Sequence, residues 1–139
     1  MPLVIDANVL FSFFKEDSSR RKLVINMSLL GEELISPQYC FDELADDKER
    51  VKRYSGIDDK QFSKLLSTLE TFILPVSETE YLEFAHEAEM LAPHQKDAPY
   101  FALALLKNCT IWSDEKAFKK QGKVKVVTTA ELLEGLKDF

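Results

Sequence analysis

The sequence predicts an α/β protein, a three-layer α/β/α sandwich around a central parallel sheet of about five strands. Three observations point to it. Short apolar runs alternate with stretches of helical period along the whole chain. The runs lack the polar alternation of a half-solvated sheet, as strands covered on both faces do. Capping or turn residues separate runs from helical stretches, so successive strands are joined by helical crossovers, which are right-handed in parallel sheets.

The elements follow in order. Leu3-Val4-Ile5 is the first strand, and Asp6 or Asn8 caps the helix after it. That helix stops near Glu16-Asp17-Ser18-Ser19, whose serines cap a second one carrying Leu23, Met27 and Leu30 and ended by Gly31. Glu33-Leu34-Ile35-Ser36 is the second strand, and Pro37 starts a helix running to about Arg53. Beyond Ser55-Gly56, Phe62, Leu65, Leu66, Leu69 and Ile73 form an apolar helix stripe. Ile73-Leu74-Pro75-Val76 is the third strand, placed at an edge by Pro75. Ser77 and Glu80 form a capping box for a helix through Leu91. A loop, 92–96, leads to a helix opened by Asp97, with Phe101, Ala102, Leu105 and Leu106 on its buried side. Cys109-Thr110-Ile111-Trp112 is the fourth strand, with Trp112 in the core, and Lys123 to Val127 the fifth. Thr128 or Thr129 caps a terminal helix through Leu136.

With 139 residues and no Pro/Gly/Ser-rich linker, the chain reads as one domain over 1–139. No apolar run approaches the ~20 residues of a membrane span, and no basic leader precedes Asp6. The two cysteines, Cys40 and Cys109, have no CxxC partner, which argues against structural zinc and disulfides and for a reducing cytoplasm. A net charge of -6 excludes an extensive basic nucleic-acid surface. It leaves local basic patches at Arg20-Arg21-Lys22, at Lys48 to Arg53 and at Lys116 to Lys125.

Acidic residues recur at strand ends and helix starts: Asp6, Glu43, Asp97 and the pair Asp114-Glu115. In an open parallel sheet, ligands bind beyond the carboxyl ends of the strands where strand order reverses. If the first and fourth strands meet there, Asp6 meets Ser113-Asp114-Glu115. Gathered carboxylates repel one another and take up protons unless a cation neutralises them. The pattern therefore points to a divalent-metal-dependent hydrolase.

These segments resemble the PIN-domain family of metal-dependent nucleases. Val4-Ile5-Asp6-Ala7-Asn8-Val9-Leu10 is similar to its opening motif, and Phe41-Asp42-Glu43-Leu44 to its second acidic position. Asp97 with Ala102 and Ala104 resembles the third motif, and Ser113-Asp114-Glu115-Lys116-Ala117-Phe118 the fourth. Counted back from Phe118 the fourth acid is Glu115; counted from the strand end it is Asp114, and the choice stays open. The resemblance implies phosphodiester hydrolysis of RNA, with Mg²⁺ or Mn²⁺ as cofactor. It implies catalytic roles for Asp6, Glu43, Asp97, Asp114 and Glu115, with Asp6, Asp97 and Asp114 on metal. Asn8 and Ser113 are expected to hydrogen-bond carboxylate or substrate, and Lys96 and Lys116 to meet RNA phosphate at the rim. Single-domain members of this size include toxins of toxin–antitoxin pairs, so an antitoxin protein is an expected partner. A homodimer is a family-level expectation, with Phe11 and Phe14 as apolar residues on the first helices.

Two other readings compete. A haloacid-dehalogenase-type phosphatase also begins with a strand and an Asp, but needs a second Asp where this chain has Asn8. A catalytically inactive PIN-like scaffold binding RNA or protein would have lost several of these carboxylates, yet every position remains acidic.

Overall fold

The structure, a computed structural model, describes residues 2–136. Five strands, β1 (Pro2–Ile5), β2 (Glu33–Pro37), β3 (Ile73–Val76), β4 (Thr110–Trp112) and β5 (Val126–Val127), form one sheet in the order β3-β2-β1-β4-β5. Every pairing is parallel. The chain steps outward from β1 to β2 to β3, then returns past both to place β4 on the other side of β1. The strand order therefore reverses between β1 and β4. Pro75 lies on edge strand β3, where its missing N–H interrupts no interior ladder.

The helices are α1 (Ala7–Ser12), α2 (Ser19–Leu29), α3 (Gln38–Asp46), α4 (Lys48–Ser55), α5 (Asp59–Phe72), α6 (Glu78–Tyr81), α7 (Ala85–Leu91), α8 (Ala98–Lys107) and α9 (Thr129–Leu136). Short 3-10 turns cover Leu82–Phe84, Gln95–Asp97 and Lys116–Lys120. Helix α8 packs on β1, β2 and β4, with α6 and α7 against it, while α2 contacts β2, α1 and α5. One core joins the sheet to both helical layers, with Ile5, Phe14, Leu69, Phe101 and Trp112 among its buried side chains. Leu3-Val4-Ile5 is buried throughout because the sheet is covered on both faces.

Four expectations are corrected. The helix after Pro37 is two helices, because the backbone leaves helical geometry at Asp47 (φ -93, ψ 20). The Ser77 capping box does not form: Ser77 Oγ meets Thr79 Oγ1 instead, and the following helix breaks at the turn Leu82–Phe84. That turn leaves Tyr81 and Ala88 buried but turns Leu82 out to solvent. The fifth strand is only Val126–Val127, the residues that pair with Ile111 and Trp112. Phe14 is fully buried and stacks on Phe62, so it offers no apolar surface to a second subunit. The cap of α9 is Thr128, through reciprocal bonds between Thr128 Oγ1 and the Glu131 N–H and between Glu131 Oε1 and the Thr128 N–H.

Candidate active site

Register brings the site together. Ile5 pairs with Trp112, so the next residues, Asp6 and Ser113, leave neighbouring strands side by side at the point of strand-order reversal. The Asp6 N–H continues the ladder to the Trp112 carbonyl at 3.1 Å. The Asp6 side chain then caps α1, Oδ1 accepting the Asn8 N–H at 3.3 Å. Its other oxygen, Oδ2, accepts the Ser113 hydroxyl at 2.6 Å. Ser113 Oγ in turn accepts the Glu115 N–H at 3.1 Å, which fixes the backbone from which Glu115 projects.

Asp6 is 5% exposed, an unusual place for a carboxylate with no basic partner among the described residues. Burial pushes its pKa above the ordinary carboxylate value, despite the bonds from Ser113 and Asn8 that favour the anion. Repulsion from Asp97 and Glu115 adds to the rise. Asp97 is also raised, by desolvation and by Glu115, with His94 and Lys96 acting in the opposite sense. Asp97 stands at the head of α8, yet its side chain makes no capping hydrogen bond. Asp6, Asp97 and Glu115 thus share one electrostatic neighbourhood.

Asp114 does not join it. Its Oδ1 accepts the Thr129 N–H at 2.7 Å, and Oδ2 accepts the Thr129 hydroxyl at 2.6 Å. Arg20 adds bonds of 3.0 and 2.7 Å to Oδ2. Burial alone would raise the Asp114 pKa, but the Thr129 and Arg20 bonds outweigh it and hold the carboxyl below its usual value. Thr129, at the head of α9, and Arg20, on α2, thus draw Asp114 into a hydrogen-bond network apart from Asp6 and Asp97. The acid set beside Asp6 and Asp97 is Glu115.

The remaining expected residues are spread around this centre. Glu43, exposed on α3, lines an adjoining cleft of about 270 Å³ with Ala7, Asn8 and Cys40. Lys96 is exposed next to Asp97, and its carbonyl accepts the Tyr39 hydroxyl at 3.2 Å. Lys116 is exposed at the head of the turn after Glu115 and forms no ion pair among the described residues. The other basic patches are largely engaged elsewhere, Arg20 on Asp114, Lys48 and Lys52 on Asp59, and Lys119 on Glu131.

Among the described residues, no three His, Cys, Asp or Glu side chains enclose a common point as a finished cage. Magnesium does not need one. It commonly takes one or two carboxylates and keeps several waters, adding substrate phosphate. Oxygen donors without imidazole or thiolate are the chemistry that suits Mg²⁺ or Mn²⁺. Asp6, Asp97 and Glu115 supply that donor set.

A sequence model of the PIN domain matches residues 4–137. The chain belongs to the PIN-domain family. No curated protein matches it. PIN domains are generally nucleases, so membership gives the chain a nuclease-type, hydrolytic function. Among the described residues no helix is long and apolar enough to cross a membrane.

In this PIN domain a buried layer beneath Asp6 holds it in place, one that little in the local sequence marks. Tyr100 Oη, 3% exposed, accepts the Ala7 N–H at 3.1 Å and lies 3.2 Å from Cys40 Sγ. Burial pushes the Tyr100 hydroxyl far above its ordinary pKa, so it stays protonated. Ser36 donates to the Ile5 carbonyl at 2.8 Å and ties β2 to the strand end that carries Asp6. Tyr100 lies three residues beyond Asp97, on the same helix face one turn on, which is the one local signal that links it to the site. Arg20 and Thr129 carry none: they are 94 and 15 residues from Asp114.

Proposed function

We propose that this PIN domain is a divalent-metal-dependent endoribonuclease that hydrolyses phosphodiester bonds at Asp6, Asp97 and Glu115, with Glu43 on the substrate side of the adjoining cleft. The observation that carries the reading is Asp6 itself. It is buried, repelled by two further carboxylates and hydrogen-bonded by neutral donors from Ser113 and Asn8. Ionising such a group is costly without a cation, and the fold nevertheless fixes it with two hydrogen bonds.

Mg²⁺ or Mn²⁺ held there would neutralise the carboxylates and the scissile phosphate and lower the pKa of a bound water. The chain's own residues do the rest. Ser113 and the Asn8 N–H orient Asp6, leaving further lone pairs on each oxygen for a cation. Ser113 also sets the backbone of Glu115. Lys96 and Lys116, exposed beside Asp97 and Glu115, would draw in phosphate. A dehalogenase-type phosphatase is disfavoured because the residue two beyond Asp6 is Asn8, an amide that cannot serve as its acid or base. An inactive scaffold is disfavoured because Asp6, Asp97 and Glu115 remain together. A toxin role with a cytoplasmic antitoxin partner, and assembly as a homodimer, belong to the same proposal as its biological setting.

The test is cleavage of single-stranded RNA with and without Mg²⁺ or Mn²⁺. Cleavage should require the metal and vanish in Asp6→Asn and Asp97→Asn while both variants remain folded. Wild-type rates in either variant would overturn the assignment.

A further inference from the structure

Beside the carboxylates the surface changes character. Phe11, on α1, and Tyr54, on α4, pack with ring centroids 4.9 Å apart at 48°. Arg50 lies over the Phe11 ring at 5.2 Å and Lys15 over the Tyr54 ring at 4.9 Å. The result is a ladder of cation, aromatic, aromatic, cation. Tyr54 is 53% exposed, so much of this ladder is open to solvent. Phe11 and Arg50 line the same cleft as Asn8 and Glu43. Phe11 stands five residues along α1 from Asp6, about 7.5 Å of helix rise, or roughly two stacked nucleotides.

The charges are suited to a polyanion. Lys15 forms no ion pair among the described residues, and Arg50 pairs only with Asp47, at 3.0 Å on an exposed surface where such pairs are weak. A chain of net charge -6 gains little from general attraction to phosphate, so its affinity must come from local contacts. Base–aromatic stacking is such a contact, a base taking the face of Tyr54 that the Lys15 ammonium now covers, and it is open only to unpaired bases.

We propose that Phe11 and Tyr54, flanked by Arg50 and Lys15, form a stacking platform that receives unpaired bases next to the scissile phosphate and makes this site selective for single-stranded nucleic acid. The inference rests on the nuclease reading above, and the two are separable by experiment. Binding is measured in EDTA, where no cleavage occurs, by fluorescence anisotropy of a labelled single-stranded oligoadenylate and of the same strand annealed to its complement. The wild type should prefer the single strand. Tyr54→Leu should weaken that binding about tenfold or more, and Tyr54→Trp, which keeps an aromatic face, should retain it.

Equal binding by wild type and Tyr54→Leu, equal affinity for duplex, or no binding of the single strand would overturn the platform. So would a change of oligomeric mass in Tyr54→Leu at unchanged strand affinity, which would give the patch to a second copy of the chain. The nuclease reading is checked apart from this, by Mn²⁺-dependent hydrolysis of bis(para-nitrophenyl) phosphate, which carries no nucleobase. Hydrolysis by wild type and its loss in Asp6→Asn keep that reading whatever the platform does.

Discussion

Ser113 donates a 2.6 Å hydrogen bond to Asp6 across 107 residues of sequence, joining the end of β4 to the end of β1. The same hydroxyl accepts the Glu115 N–H, so one side chain positions two acids. Ser113→Ala removes both bonds. Groups that orient metal ligands are typically worth 10–100-fold in affinity or activity, so metal-dependent cleavage should fall by about that factor. The measurement is the Mn²⁺ concentration dependence of cleavage; an unchanged dependence would show that Ser113 orients nothing.

Asp6→Asn should melt at higher temperature than the wild type in metal-free buffer near neutral pH. Burial raises the folded pKa of Asp6 above its ordinary 3.8. A carboxyl raised in this way favours the folded state while protonated, and the benefit is lost as pH rises through the folded value. The gain in Asp6→Asn should therefore shrink as pH falls toward 3.8 and below, where both states of the wild type are neutral at this position. Paired melts across that range in EDTA decide it, and a destabilised Asp6→Asn at pH 7 would contradict it.

Asp114 and Glu115 should separate cleanly. Asp114 is lowered in the folded state, so its contribution is present above 3.8 and is lost as pH falls through the folded value. Asp114→Asn should cost about 1–3 kcal/mol at neutral pH, from charge-assisted bonds to Thr129 and Arg20, and the deficit should close in acid. Glu115→Gln should leave the melting temperature nearly unchanged but weaken metal-dependent cleavage. Denaturant titrations and cleavage assays on both variants check this; the reverse pattern would return the role to Asp114.

Those neighbours show what the sequence can and cannot reveal. The position of Asp6 was legible because an apolar strand ending in a carboxylate admits few places in a parallel sheet. The choice between Asp114 and Glu115 was not, since it turns on Arg20 and Thr129, which reach Asp114 only in the folded chain. The break at Asp47 was equally silent, with no Gly or Pro between 38 and 55 to mark it. Pro75 and Gly56, by contrast, announced an edge strand and a helix end, Gly56 taking the left-handed φ of 68 that closes α4.

Tyr100→Phe should destabilise the protein by about 1 kcal/mol, because the half-buried Ala7 N–H would lose its acceptor. It should also reduce cleavage, since that N–H opens the helix capped by Asp6. Chemical denaturation measures the first effect and single-turnover cleavage the second.

The most direct measurement is a calorimetric titration of Mn²⁺ into metal-free wild type, Asp6→Asn, Asp97→Asn and Asp114→Asn. Saturable binding by the wild type and by Asp114→Asn, with loss in the other two, is the predicted result. Binding that survives in Asp6→Asn, or a wild type that binds no Mn²⁺, would contradict a cation shared by Asp6, Asp97 and Glu115.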